Sequence, residues 1–378
     1  MYHVKTMNKI SKIGLAELDD RFEISDTMEH EDAILVRSAK LHDYDFPAEL
    51  KCIARAGAGV NNIPLDRAAD AGIVVFNAPG ANANGVKELT IAALLLASRK
   101  ISQGITWVKE QSAAGADVAA VVEKGKSAYV GPEIMGKTLG VVGLGAIGVL
   151  VANAAAALGM KIVGYDPFLS VTHALNLTPG VEVVDTLPEL YAKADYISLH
   201  LPMNDATRGT LNEAAFAAMK DGVRIVNLAR GELVDTPALK AALDSGKCAA
   251  YVTDFPNSET AAIEGVVAIP HLGASTPESE DNCAMMAARE VKEYLDNGSI
   301  INSVNLPNLT MAWAAKTRGC VISKGADAAA IAGAVPAVAS ASNTRGAYAY
   351  TILDTDAAVD EAAIAAIPGV LRVRVLTR

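Results

Sequence analysis

Along the first eighty or so residues, short apolar runs alternate with stretches of mixed polarity. AILVRSA (33–39), KCIARAG (51–57) and GIVVFNAP (72–79) have the composition of strands, and PLDRAADA, between the last two, has helical character. Alternating β and α units predict a parallel sheet covered by helices. NANGVKELTIAALLLASRKISQGITWVKEQ (82–111) then places apolar residues every three or four positions, which predicts one long helix. The small-residue, charged stretch after it, through about Gly131, predicts an irregular connection.

From Lys137 the strand pattern restarts. TLGVVG, KIVGYD, VEVV, YISLHLP, RIVNLAR, CAAYVTD and VVAIPH are strand-like and mostly separated by helical segments, the pattern of a doubly wound α/β unit. Residues 139–160 form a nearly unbroken apolar run, long enough by itself to span a bilayer. A strand buried on both faces and feeding a buried helix gives the same run. The three glycines at that junction, and KIVGYD directly afterward, favour the second reading. After His271, TPESEDNCAMMAAREVKEYLDNG predicts a helix with Pro at its start and Gly at its end. The Ala-rich remainder parses as CVISKG, ADAAAIAGAV, PAVASASN, AYAYTILDTD, VDEAAIAAI and LRVRVLTR. That order is βαββαβ, the ferredoxin-like arrangement.

Composition narrows the function. The 378 residues carry a net charge of −10, which argues against general nucleic-acid binding because phosphate neutralisation needs clustered cations. An anionic small substrate then requires a local cationic pocket. The four cysteines lack paired or metal-like spacing, so no metal site is expected and a reducing compartment suits the chain. The start, MYHVKTMNKISKIG, has no signal-peptide pattern, and a cytoplasmic location is expected.

KTLGVVGLGAIG (137–148) carries the strongest chemical signal. An apolar strand runs into Gly143, Gly145 and Gly148, a helical segment follows, and the next strand ends at Asp166, 18 residues beyond Gly148. Gly143 suits a tight turn, Gly145 lets a pyrophosphate approach the backbone, and Gly148 lets helix and strand pack closely. The helix start offers free N–H groups to phosphate. Asp166 can accept hydrogen bonds from ribose hydroxyls, and Pro167-Phe168-Leu169 supplies no cation for a 2′-phosphate. The expected cofactor is therefore NAD rather than NADP.

An alcohol-oxidising nicotinamide enzyme needs a base, a group that tunes it, and a cation for the substrate. Of the six histidines, His271 in VVAIPHLGAST lies just past a buried strand, and His200 in SLHLP also ends one. Arg230 ends RIVNLAR and can hold a carboxylate bidentately. Glu259 and Glu264 both lie between Asp254 and His271, and either can stabilise a protonated imidazole.

NLARGELVD, VTDFPNSE and IPHLGASTPESE resemble signature segments of the D-isomer-specific 2-hydroxyacid dehydrogenases. RAGAGVNNI and GANANGVKELT narrow the likeness to the branch acting on 3-phospho-D-glycerate. The resemblance implies a Rossmann-type nucleotide domain (85–274) inserted into a split, flavodoxin-like substrate domain (1–84 and 275–306). A C-terminal ferredoxin-like, ACT-like domain (317–378) would serve regulation or assembly. It implies that substrate meets NAD between the two main domains, and that Arg230, Glu259 and His271 are catalytic, Glu259 standing five residues after Asp254. Cofactor contacts are expected from Gly143, Gly145, Ala146, Ile147, Gly148, Asp166, His200, Leu201, Pro202, Thr207, Ala229, Arg230, Asp254, His271 and Gly273. Arg37, Ser38, Arg55, Ala56, Gly57 and Lys126, with Arg230 and His271, are expected to hold the phosphorylated substrate.

The implied reaction is NAD-dependent oxidation to 3-phosphohydroxypyruvate by a soluble homodimer or homotetramer that binds neither membrane nor nucleic acid. A relative acting on glyoxylate or hydroxypyruvate would need no phosphate-binding arginines. A corepressor-like protein would keep the NAD site as a redox sensor. In the last segment Lys324-Gly325-Ala326-Asp327 stands where a Pro-Gly turn is usual, which weakens the expectation of serine binding there.

Overall fold

The computed structural model describes residues 1–378, which form two compact units. The first comprises Met1–Asn82 and Pro277–Arg378, and the second Ala83–Thr276.

The first unit holds a parallel sheet of β1 (Tyr2–Met7), β2 (Phe22–Ser25), β3 (Ala33–Val36), β4 (Cys52–Arg55) and β5 (Val74–Asn77). Its order, β2-β1-β3-β4-β5, is that of flavodoxin-like sheets. The apolar pattern of the sequence marks β3, β4 and β5 but not β1 and β2. Central β3 is buried on both faces and so reads as a continuous apolar run, whereas β2 is an edge strand with mixed exposure. One face of the sheet packs on the helix Pro277–Asn297 through Leu35, Ala54 and Phe76 against Ala284, Ala287, Val291 and Tyr294.

The C-terminal strands β13 (Thr317–Lys324), β14 (Ala339–Arg345), β15 (Tyr348–Thr355) and β16 (Val370–Thr377) form an antiparallel sheet in the order β14-β15-β13-β16. The helices Ala328–Gly333 and Glu361–Ala365 complete a βαββαβ order. The sequence predicts a separate domain here; by its contacts the segment groups with the first unit. The reason lies in the alternation of β13 and β15. Val321 and Leu353 face the segment's own small core with Ile331 and Ile364, while Cys320, Ile322, Tyr350 and Ile352 join the core around the helix Pro277–Asn297.

The end of that helix is capped by the same segment. Arg374 donates to Tyr294 O (3.1 Å) and Leu295 O (2.9 Å), Arg318 to Asn297 O (2.8 Å) and Tyr350 Oη to Gly298 O (2.5 Å). These satisfy carbonyls that a helix end otherwise leaves unpaired. Arg318 is held in turn by a bidentate pair with Asp354 (2.7 and 2.8 Å), both side chains fully buried.

The second unit holds β6 (Thr138–Val142), β7 (Lys161–Tyr165), β8 (Glu182–Val183), β9 (Tyr196–Leu199), β10 (Val223–Asn227), β11 (Cys248–Thr253) and β12 (Val266–Ala268). All pair in parallel in the order β12-β11-β10-β9-β6-β7-β8, the doubly wound order with one further strand. The apolar run at 139–160 resolves into β6 and the helix Ala146–Ala157, and no helix of the chain is long and apolar enough to cross a membrane.

The single helix expected over 82–111 is two, Ala83–Ser98 and Ile101–Ala113. The buried Ser98 hydroxyl bonds Leu94 O (2.7 Å) and Tyr196 Oη (2.8 Å). The returning chain also passes so close that a Cβ on Gly131 would stand 2.0 Å from Ser98 O, where another turn would run. The stretch expected to be irregular contains the helix Val118–Gly125, capped by the Asp117 carboxylate, and a 3-10 turn, Lys126–Tyr129. Asp117 supplies the N-terminal acceptor, and Trp107 and Tyr129, 5.5 Å apart between ring centres, supply the apolar contact.

Candidate active site

The chain of the second unit winds away on either side of β6, so the crevice past the ends of β6 and β9 is the switch point of the sheet, where ligands of this fold class bind. Gly143 follows β6 with φ +95°, and a Cβ there would stand 2.5 Å from His200 O. A Cβ on Gly148 would lie 1.9 Å from Gly143 O, so helix and turn touch backbone to backbone. At Gly145 a Cβ would meet nothing within 4 Å: this face is open, and the helix Ala146–Ala157 begins there with its free N–H groups. The geometry fits a pyrophosphate.

Asp166 stands at the end of β7. Its Oδ2 accepts from Leu144 N (2.9 Å) and its Oδ1 from Phe168 N (2.8 Å), which fixes the carboxylate while each oxygen keeps a lone pair. Thr207, past β9, donates to Pro202 O (2.6 Å) and so folds the loop that carries Leu201. His200 Nε2 bonds Ser198 Oγ (2.9 Å), and burial pushes its pKa down to about 4. A ring that stays neutral near pH 7 lines a pocket better than it takes up protons.

The ends of β10, β11 and β12 bring Arg230, Asp254 and His271 together. The buried Asn227 side chain holds the turn after β10. It donates to Arg230 O (2.8 Å) and accepts from Ala229 N (3.1 Å) and Arg230 N (3.3 Å). It also bonds Tyr251 Oη (3.0 Å). Asp254 is buried. Its Oδ2 accepts from Gly273 N (3.2 Å), while its Oδ1 has no partner. Burial raises this carboxyl above its ordinary range, against the Gly273 N–H and the charges of His271 and Arg230.

A residue that the sequence reading did not single out touches both Arg230 and His271. The Phe255 ring centre is 4.3 Å from that of His271, and the Arg230 guanidinium carbon is 5.0 Å from it. Asn227 and Phe255 were both missed; the only signal was their place in quoted strand-end segments, NLAR and VTDFPNSE. The glutamates behave differently from expectation. Glu259 is exposed, its N–H bonded to Asn257 Oδ1, and neither Glu259 nor Glu264 has an ion pair with His271 within 4 Å.

Arg37 and Arg55 of the first unit are neighbours at the ends of β3 and β4. Arg55 Nε donates to Arg37 O (3.1 Å), and Arg37 is ion-paired with Glu280 (2.6 Å). Gly57 lies under the Arg55 guanidinium, where a Cβ would meet Nη1 at 2.0 Å. Ser38 N bonds Asn8 Oδ1 (3.0 Å), and Ala56 N bonds Val36 O (2.8 Å). Lys126, on the exposed turn of the second unit, pairs with Glu123 (2.5 Å).

Comparison with known proteins gives this site a context. A sequence model described as "D-isomer specific 2-hydroxyacid dehydrogenase, NAD binding domain" matches residues 91–273. The chain is 36% identical over 315 residues to a D-3-phosphoglycerate dehydrogenase of Methanocaldococcus jannaschii, covering 81% of this chain and 58% of that one. Among solved structures it resembles a glyoxylate reductase from Paecilomyes thermophila (28% identity, 80% of this chain and 98% of that one, TM-score 0.66). It also resembles an NAD+-bound 3-phosphoglycerate dehydrogenase of Entamoeba histolytica (26% identity, 82% and 99%, TM-score 0.62). The chain spans little more than half the length of the curated relatives it matches: 58%, 60% and 53% of three of them.

Proposed function

We propose that the chain is a D-isomer-specific 2-hydroxyacid dehydrogenase, on the match of residues 91–273 to that family's NAD-binding domain, and that it oxidises 3-phospho-D-glycerate to 3-phosphohydroxypyruvate with NAD. The observation that carries the proposal is the group Arg230, Asp254 and His271 at adjacent strand ends, in the sheet whose switch point holds the Gly143–Gly148 turn.

The residues present suit the cofactor. The open face at Gly145 and the helix start take the pyrophosphate, with Ala146 and Ile147 opening the helix. Asp166 takes the ribose hydroxyls, and its carboxylate disfavours a 2′-phosphate. The unpartnered Asp254 Oδ1 is an acceptor available to the nicotinamide carboxamide, and Leu201, Pro202, Thr207, Ala229 and Gly273 complete the lining. NAD, when bound, supplies the hydride acceptor.

The chain's own side chains do the rest. Arg230 binds the substrate carboxylate and polarises the developing carbonyl, with no acidic side chain competing for it within 4 Å. His271 takes the proton from the C2 hydroxyl oxygen as hydride leaves C2, and returns it in the reverse direction. Glu259 is assigned the imidazolium, a role that requires its exposed carboxylate to swing in. We assign the phosphate to Arg37 and Arg55, with Ser38, Ala56 and Gly57 shaping the turn, and Lys126 as a further cation.

A second reading has one observation in its favour: Arg37 is already neutralised by Glu280, which suits an unphosphorylated substrate such as glyoxylate or hydroxypyruvate. We infer assembly from the helices Ile101–Ala113 and Val118–Gly125, which bury no residue; Ile101, Ile105 and, after the turn Lys126–Tyr129, Val130 are exposed beside an apolar cavity of about 790 Å³. We assign that surface to a second copy of the chain. The ACT-like reading of the C-terminal βαββαβ segment is retained as one of assembly, because its inward face is committed to the first unit's core.

NADH oxidation with phosphohydroxypyruvate tests the proposal. Turnover that disappears in His271→Ala supports it. A lack of turnover with any 2-keto acid would refute it.

A further inference from the structure

We propose that Phe255 is a positioning residue of this reaction: its ring sets the spacing of Arg230 and His271 and stabilises the positive charge that His271 acquires. The inference rests on the oxidoreductase reading above and adds a residue that the Arg–Glu–His set does not contain.

The ring is fixed by its surroundings. Phe255 N donates to Thr253 Oγ1 (3.0 Å), and Asp254, one residue earlier, holds the backbone of Gly273 and so the loop bearing His271. On the other side the chain of Arg230 passes close, since a Cβ on Gly231 would lie 3.2 Å from Phe255 O. The ring therefore contacts His271 at 4.3 Å, tilted by 46°, and Arg230 at 5.0 Å, with both neighbours tied to the same dipeptide.

The chemistry follows from charge. Arg230 is permanently cationic and His271 becomes so when it takes the proton, so direct contact would oppose proton uptake. An aromatic ring in contact with both takes space that the two charges would otherwise share and offers its π electrons to each cation. Asp254 and Arg230 are charged groups near this site: burial raises the Asp254 carboxyl, against the opposing charges of His271 and Arg230. With Glu259 exposed and unpaired to the imidazole, Phe255 is the group in contact with it.

The test compares wild type with Phe255→Leu and Phe255→Trp. The His271 ring is followed by NMR titration, its signal assigned by its absence in His271→Asn, and reductive kinetics are run across the same pH range. Leu fills much of the space without a π face, so the His271 midpoint should fall by roughly half a pH unit. The alkaline limb of reduction should move with it, and kcat should drop on the order of ten-fold while KM for NADH holds. Phe255→Trp should restore both.

An unchanged midpoint in a folded Phe255→Leu, or an equal loss in Phe255→Trp, would overturn the inference. Should the Leu variant not fold, a midpoint in Phe255→Trp below that of wild type would overturn it equally. Wild type that reduces no 2-keto acid would refute the functional reading instead, and the titration would still decide whether Phe255 governs the imidazole.

Discussion

Arg230 and Arg37, each just past the end of a strand, hold their charge in different ways. Arg230 lies over the Phe255 ring, its guanidinium bonded to Ala229 O (2.6 Å), with no carboxylate in ion-pair range. Arg37 is closed by Glu280 at 2.6 Å, both side chains partly exposed. The difference separates chemistry from recognition. A cation held only by a ring and a carbonyl is ready for a substrate carboxylate. A cation already paired must exchange one anion for another, so its net gain on binding is smaller. On the proposed reading, Arg230 takes part in the reaction step and Arg37 adds substrate preference.

The largest break in this comparison comes from His271→Ala, which should lower kcat by roughly 10²–10⁴ with KM for NADH little changed, as loss of a general acid–base requires. Initial rates at saturating NADH check it. Arg230→Lys comes next, with kcat/KM down by about a hundredfold in steady-state assays, because a point charge replaces a planar fork. Arg37→Ala should raise KM for the phosphorylated keto acid about tenfold and leave that for hydroxypyruvate alone. Glu280→Gln sharpens the contrast in the opposite direction, since releasing Arg37 should lower the same KM a few-fold.

The smallest effect concerns stability. Both units bury a carboxyl that is pushed up by burial, Asp254 in the second and Glu290 in the first. Glu290 is raised to about 8, against roughly 4.3 in an unfolded chain. Between those values the native state binds more protons, so the contribution of this group to stability falls as pH rises through the window and is gone above about 8. Glu290→Gln should reduce the drop in Tm between pH 6 and pH 9 by a few degrees, measured by calorimetry.

How much of this was legible in the sequence depends on the distance between partners. The turn at Gly143–Gly148 and Asp166 are local features, each needing only a strand and the helix beside it, and the structure places them at one switch point. Arg230 and His271 were legible because strand ends of a parallel sheet gather on one side whatever the loops do. Phe255 was not: its contacts cross between three loops, and a phenylalanine after a buried strand reads as core. The Arg37–Glu280 pair and the capping of the helix Pro277–Asn297 by Arg318, Tyr350 and Arg374 join segments far apart in the chain, beyond any periodicity. The helix break after Ser98 was hidden for the same reason, since its cause is the approach of Gly131.

The account is tested most directly by one ratio, kcat/KM for phosphohydroxypyruvate over that for hydroxypyruvate with NADH, in wild type and in Arg37→Ala. A ratio well above one in wild type that collapses toward one in the variant is the predicted result. A wild-type ratio near one, unmoved by Arg37→Ala, would contradict the phosphate assignment and leave an NAD-dependent reductase of unphosphorylated 2-keto acids.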